Sequence, residues 1–138
     1  FTVYGPWYRP DMAMFIFTHK IINNEIIALY NKGKILRDFT YVDDIVSGTK
    51  LAIQKNYDNE IFNLGNNKTE LLKDVLSILE NELNKKAIIV NKNIKKGDMV
   101  ETFADIEKSK IKLGYNPSTS ISEGIPLLVK WFREYYKC

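Results

Sequence analysis

Along this 138-residue chain, apolar residues recur sometimes at alternate positions and sometimes every third or fourth, and the changes of period mark its elements. Thr2 to Tyr4 predict a short strand closed by Gly5-Pro6, and Pro10-Asp11 predicts a helix entry capped by the Asp11 side chain. Met12, Phe15, Ile16, His19 and Ile22 mark the apolar face of that helix. Glu25 to Tyr30 and Lys34 to Thr40 are rich in β-branched and aromatic residues and flank Asn31-Lys32-Gly33, which predicts a hairpin. Asp43 precedes Ile45, Thr49, Ala52 and Ile53 at helical spacing, and Ile61 to Leu64 form a short apolar run closed by Gly65, a predicted strand. Strand, helix and strand in this order predict the end of a parallel sheet.

Past Gly65 the pattern changes. Thr69 can cap a helix whose Leu72, Val75, Leu76, Leu79 and Leu83 form one stripe, and a strand follows at Ala87 to Val90. A second subdomain is therefore expected from residue 69. Asp105 can cap a short helix that stops at Gly114, with Pro117 beyond it. Ser120 and Glu123 make a capping box for a last helix, whose Ile121, Ile125, Leu128, Val129 and Phe132 face the core and which Pro126 bends without ending. The fold class is α/β.

Composition narrows the function. With 45% hydrophobic and 27% charged residues the chain is of ordinary globular type, and no apolar run approaches the roughly 18 residues of a membrane span. The net charge of +3 comes from lysines spread along the chain, so a nucleic-acid partner, which calls for clustered charge interleaved with aromatics, is not expected. Cys138 is the one cysteine, which leaves no disulfide framework or metal cluster and fits a cytoplasmic setting. Phe1 is no initiator and opens directly on a strand, so the chain reads as a piece of something longer.

Only three arginines are present, and Arg37 sits on a predicted strand of otherwise apolar and aromatic character, where an unpaired guanidinium is costly. One reading is a structural ion pair with Asp38, Asp43 or Asp44, although Asp38 points to the opposite face of a strand. The other is a bidentate clamp on a diphosphate, for which arginine is the better shaped cation.

Three segments in order, TVYGPWYRPDM, RDFTYVDDIV and KKGDMVETFADIEKSKIKLGYNPSTSISEGI, resemble the extended short-chain dehydrogenase/reductases, and most closely the UDP-glucuronate 4-epimerases. The resemblance implies that residues 1–68 are the C-terminal remnant of a Rossmann-like domain with a substrate-contact hairpin, and 69–138 a small mixed α/β substrate-binding subdomain. It implies a UDP-sugar ligand, with Arg37 on the diphosphate, Phe39 lining the uridine side, Thr2 and Arg9 on the sugar carboxylate, Asp98 near the ribose and Lys95 or Lys96 as a further diphosphate contact. Tyr8 stands where the family usually has glycine. Asp43 and Asp44 read as helix caps.

By the same resemblance the complete enzyme uses NAD to oxidise the sugar at C4, lets the 4-keto intermediate rotate, and returns the hydride. The glycines of this chain never take the spacing of a dinucleotide loop, and the family's catalytic Tyr-x-x-x-Lys precedes TVYGP. Tyr30 and Lys34 match that spacing by chance across a turn, and His19 is a lone histidine. No catalytic or metal-binding residue is therefore assigned, and the chain alone is expected to be inactive and not to bind NAD. The rival readings are a 4,6-dehydratase or decarboxylase fragment, a non-catalytic binding remnant, and a split-gene subunit completing a separately encoded cofactor domain. Family members often form homodimers.

Overall fold

The computed structural model describes residues 1–94, 97 and 99–138. Its elements are β1 (Thr2–Tyr4), α1 (Ala13–Ile22), β2 (Ile26–Tyr30), β3 (Leu36–Tyr41), α2 (Val42–Lys55), β4 (Thr69–Leu71), α3 (Leu72–Leu83), β5 (Ile88–Lys92), α4 (Glu107–Leu113) and α5 (Ile121–Tyr136). The architecture is α/β, as the pattern predicts. β1 and β3 pair in parallel, with Thr2 opposite Phe39, and β4 adds antiparallel to the other edge of β3, with Glu70 opposite Arg37. A second sheet joins β2 to β5 in parallel, Ile26 opposite Ile88.

The expected hairpin does not form: its two arms lie in different sheets. Between them Asn31, Lys32 and Gly33 all take positive φ in a 3₁₀ turn, which redirects the chain instead of folding it back in register. Residues 61–64 are not a strand either. Ile61 is exposed, while Phe62 and Leu64 pack beneath α2 without a strand partner.

Helix α1 also departs from its expected start and face. Met12 is the N-cap residue, because the Asp11 carboxylate is turned to Arg9 (2.6 Å). Met14, Phe15, Phe17, Thr18 and Ile21 are buried, whereas His19 is exposed and Met12, Ile16 and Ile22 are only half-buried. An almost wholly apolar helix carries little directional signal of its own, so the neighbours it packs on choose its inner face. In α2 the buried positions are Asp44 and Gly48, and Thr49 and Ile53 face outward. Thr69 is a β4 residue, and Leu71 occupies the N-cap of α3.

The remaining helices follow the sequence closely. Val75, Leu76, Leu79 and Leu83 of α3 meet Ile121, Ile125, Leu128, Val129 and Phe132 of α5 in one core beneath β1 and β3. Ser120 and Glu123 form the capping box, and Gly114 ends α4 in the left-handed conformation. Asp105 does receive an early helix N–H, that of Glu107 at 3.0 Å, from one position outside the N-cap. A smaller core of Ala104, Ile106, Leu113 and Tyr115 sits under α2. Among the described residues no helix is long and apolar enough to cross a membrane.

Candidate functional site

Strand period places Arg37 and Phe39 on one face of β3, and the parallel register brings Thr2 beside Phe39. These three, with Tyr8, Met12 and Leu72, line a cleft of about 220 Å³. Phe39 is its buried floor, held edge-on against the Tyr4 ring at 6.3 Å. Arg37 also borders a larger groove of about 660 Å³ that runs between α1 and β2 past Ala13, Lys20 and Tyr30. One guanidinium thus faces both hollows.

The Arg37 side chain is oriented by two main-chain carbonyls, Nη1 donating to Leu36 O and Nη2 to Met99 O, each at 2.8 Å. Among the described residues no carboxylate pairs with it. Glu70, its partner across the β3–β4 ladder, is taken by Lys68 at 2.7 Å. Two of the three aspartates considered as structural partners, Asp38 and Asp44, are engaged elsewhere. Asp44 accepts from Ser118 N and Thr119 N at 3.3 and 3.0 Å, which ties the α2 start to the loop before α5 and makes it a loop anchor, not a cap. Asp43 lies exposed in the first turn of a helix whose N-cap residue is Tyr41.

Asp38 is wholly buried and accepts four hydrogen bonds, from Thr40 Oγ1, Asn66 N, Asn67 N and Ala104 N at 2.8–3.1 Å. Sequence reasoning weighed Asp38 only as a partner for Arg37. The signal was there: an aspartate on the buried face of an aromatic strand must be saturated with donors.

Arg9 lies in the turn after β1 and borders a separate cleft of about 300 Å³ with Phe1, Trp7 and Val42. Its Nε and Nη2 grip the two Asp11 oxygens at 3.1 and 2.6 Å, a bidentate pair in the open. Tyr8 walls both clefts, so the structure brings Thr2, Arg37 and Phe39 together and sets Arg9 on the other side of this ring. The Tyr8 side chain is buried, its hydroxyl has no partner among the described residues, and burial pushes the phenol pKa up. Lys95, Lys96 and Asp98 lie outside the described residues.

Residues 1–65 match the NAD dependent epimerase/dehydratase family. The chain is 42% identical over 135 residues to a UDP-glucuronate 4-epimerase of Thermodesulfobacterium geofontis, covering 97% of this chain and 42% of that one. UDP-glucuronate 4-epimerase 2 of Arabidopsis thaliana is 40% identical over 157 residues, 99% of this chain and 36% of that one. The crystal structure of UDP-glucuronic acid 4-epimerase from Bacillus cereus, in complex with UDP-glucuronic acid and NAD, superposes with a TM-score of 0.91 at 32% identity, over 99% of this chain and 44% of that one. The chain spans less than half the length of each of these proteins. The first 65 residues thus carry the NAD dependent epimerase/dehydratase family domain, and relatives such as these are similar to the chain along its whole length.

Proposed function

We propose that this chain forms the nucleotide-sugar-binding part of an NAD-dependent isomerase of the UDP-glucuronate 4-epimerase type. The observation that carries the reading is Arg37: a half-buried guanidinium held by two carbonyls, free of any carboxylate among the described residues, and facing two adjoining hollows. A diphosphate bridging those hollows would bring its phosphate oxygens within reach of the planar guanidinium fork, which suits bidentate contacts to phosphate. Phe39 then offers an apolar surface to the uridine side and Thr2 a hydroxyl to the sugar. Arg9 would take the sugar carboxylate in place of Asp11, one carboxylate exchanged for another in the same bidentate arrangement. Lys95 and Asp98 enter on the sequence resemblance alone, as a diphosphate contact and a ribose acceptor. In this reading residues 1–68, the Rossmann-like remnant, carry Thr2, Arg9, Arg37 and Phe39, and 69–138, the substrate-binding subdomain, add Lys95 and Asp98 while completing both sheets through β4 and β5.

The turn after β1 does not fit the pyrophosphate of the cofactor. A dinucleotide cradle needs glycines closely spaced in the turn after a strand, and after β1 only Gly5 is available, followed by Pro6 and Trp7. The reading therefore assigns NAD to a cofactor domain, in the same protein or separately encoded, in a cytoplasmic enzyme that pairs as a homodimer. It also makes the 138-residue chain inactive by itself; epimerisation by the purified chain would overturn that.

Calorimetric titration tests the binding role. UDP-glucuronate should bind the chain, and Arg37→Ala should weaken it about tenfold or more, the loss of charge-assisted bonds to phosphate. Arg9→Ala should abolish the preference for UDP-glucuronate over UDP-glucose and leave UDP affinity intact. Equal affinity in wild type and a folded Arg37→Ala variant would refute the proposal.

A further inference from the structure

One of the two carbonyls that hold Arg37, Met99 O, comes from far along the sequence, on a strap of residues 99–104 laid in parallel along β3. Leu36 N donates to Val100 O at 2.9 Å, Thr102 N to Leu36 O at 3.2 Å, and Asp38 N to Thr102 O at 3.1 Å. Beyond Thr102 the backbone ladder stops and the Asp38 side chain takes over, its Oδ2 receiving Ala104 N at 3.1 Å. At the opposite end the strap presents the Met99 carbonyl to Arg37 Nη2. Met99, Val100, Glu101 and Phe103 are exposed, so apolar burial does little to fix the strap's register. Hydrogen bonds and the buried Ala104 fix it.

The same carboxylate draws in the chain after Gly65, through Asn66 N and Asn67 N. A Cβ at position 65 would overlap Ala104 Cβ and stand 3.3 Å from Asp38 Oδ2, so the strap and this loop close on Asp38 with no space to spare. Asp38 and Arg37 point to opposite faces of β3 and do not touch. One strap joins them.

We infer that Asp38 is a positioning residue for Arg37: its buried carboxylate clamps the 99–104 strap and so sets the direction in which the guanidinium meets a diphosphate. The inference rests on the diphosphate role proposed for Arg37. A pure scaffolding role would lower stability alone, whereas positioning couples Asp38 to Arg37 in ligand affinity.

The experiment is a double-mutant cycle read by calorimetry with UDP, with thermal unfolding alongside. Asp38→Asn keeps the shape but turns an amide toward main-chain N–H groups. It should weaken UDP binding about tenfold, as expected when one charge-assisted bond is lost. In the Arg37→Ala background the same change should alter affinity less than about twofold, while the drop in unfolding midpoint persists. An equal loss of affinity in both backgrounds, or none in a folded Asp38→Asn variant, would overturn the inference. Unchanged affinity in Arg37→Ala alone would instead remove the diphosphate role, and this inference with it. If Asp38→Asn does not fold, Ala104→Pro, which deletes one donor and leaves the carboxylate charge, takes its place in the cycle: a loss of UDP affinity that vanishes in the Arg37→Ala background supports the positioning role, and an equal loss in both backgrounds, or none, overturns it.

Discussion

Gly124 lies in the first turns of α5, directly over the Tyr4 ring that supports Phe39. A Cβ there would overlap the Tyr4 hydroxyl and stand 2.8 Å from Cζ and 2.9 Å from Cε2. Tyr4 cannot withdraw: it is 1% exposed, its hydroxyl donates to Ser120 O at 3.2 Å, and its ring meets Phe39 and Tyr41 edge-on. Gly124→Ala therefore either lifts α5 or tips the Tyr4 ring into Phe39. Overpacking of this kind costs about 1–3 kcal/mol and a buried hydroxyl deprived of its acceptor a further ~1–3, against a gain of at most about 1 from alanine's helix propensity. A net loss of about 3 kcal/mol is expected from these opposing effects. Urea unfolding followed by tryptophan fluorescence measures it, since Trp131 reports from α5. Tyr4→Phe removes the overlapping oxygen, so in combination it should return part of the loss, a favourable coupling between the two sites. An alanine variant as stable as wild type, or a pair of changes that simply add, would refute the close contact on which this reasoning depends.

Other consequences are open to similar checks. Tyr8→Phe deletes a buried hydroxyl that has no partner among the described residues, and should raise stability by about 1 kcal/mol in denaturant titration; a decrease would mean that the hydroxyl is satisfied in solution. Tyr115→Phe removes the buried bond from its hydroxyl to Gly65 O (3.0 Å) and should cost about 1–2 kcal/mol in the same assay. The Glu60 carboxyl is held down to about 2 by hydrogen bonds from Lys108 and Lys112, well below the ordinary 4.5. Its contribution is thus complete above the ordinary value and is lost as pH falls through the folded one. The unfolding midpoint of Glu60→Gln should converge on that of wild type as pH drops from about 5 to 2, and added salt should shrink the difference at neutral pH. A gap that stays constant with pH would exclude the two lysines as its cause.

The locally encoded features were legible in the sequence. The stripes of α3 and α5, the Ser120–Glu123 capping box and the Gly114 stop all depend on residues within a few positions of one another, and each took its expected form. Arg37 could be singled out from its residue type on an apolar strand, whereas Phe39 and Thr2 entered through the family resemblance; strand period then puts Arg37 and Phe39 on one face. Tertiary structure decided what faces what. Whether two β-rich runs pair with each other or with distant strands depends on partners that periodicity does not name, so the expected hairpin became two separate parallel ladders. The inner face of α1 was likewise chosen by its neighbours, because a helix apolar nearly all round carries no bias of its own. Asp11 left its helix cap for Arg9, since a nearby guanidinium makes the stronger bond. The Asp38 clamp needs donors at 40, 66, 67 and 104 to converge on one buried carboxylate. Local interactions are written along the chain; convergence over that many residues exists only once folding has met the entropy of closing the loops between them.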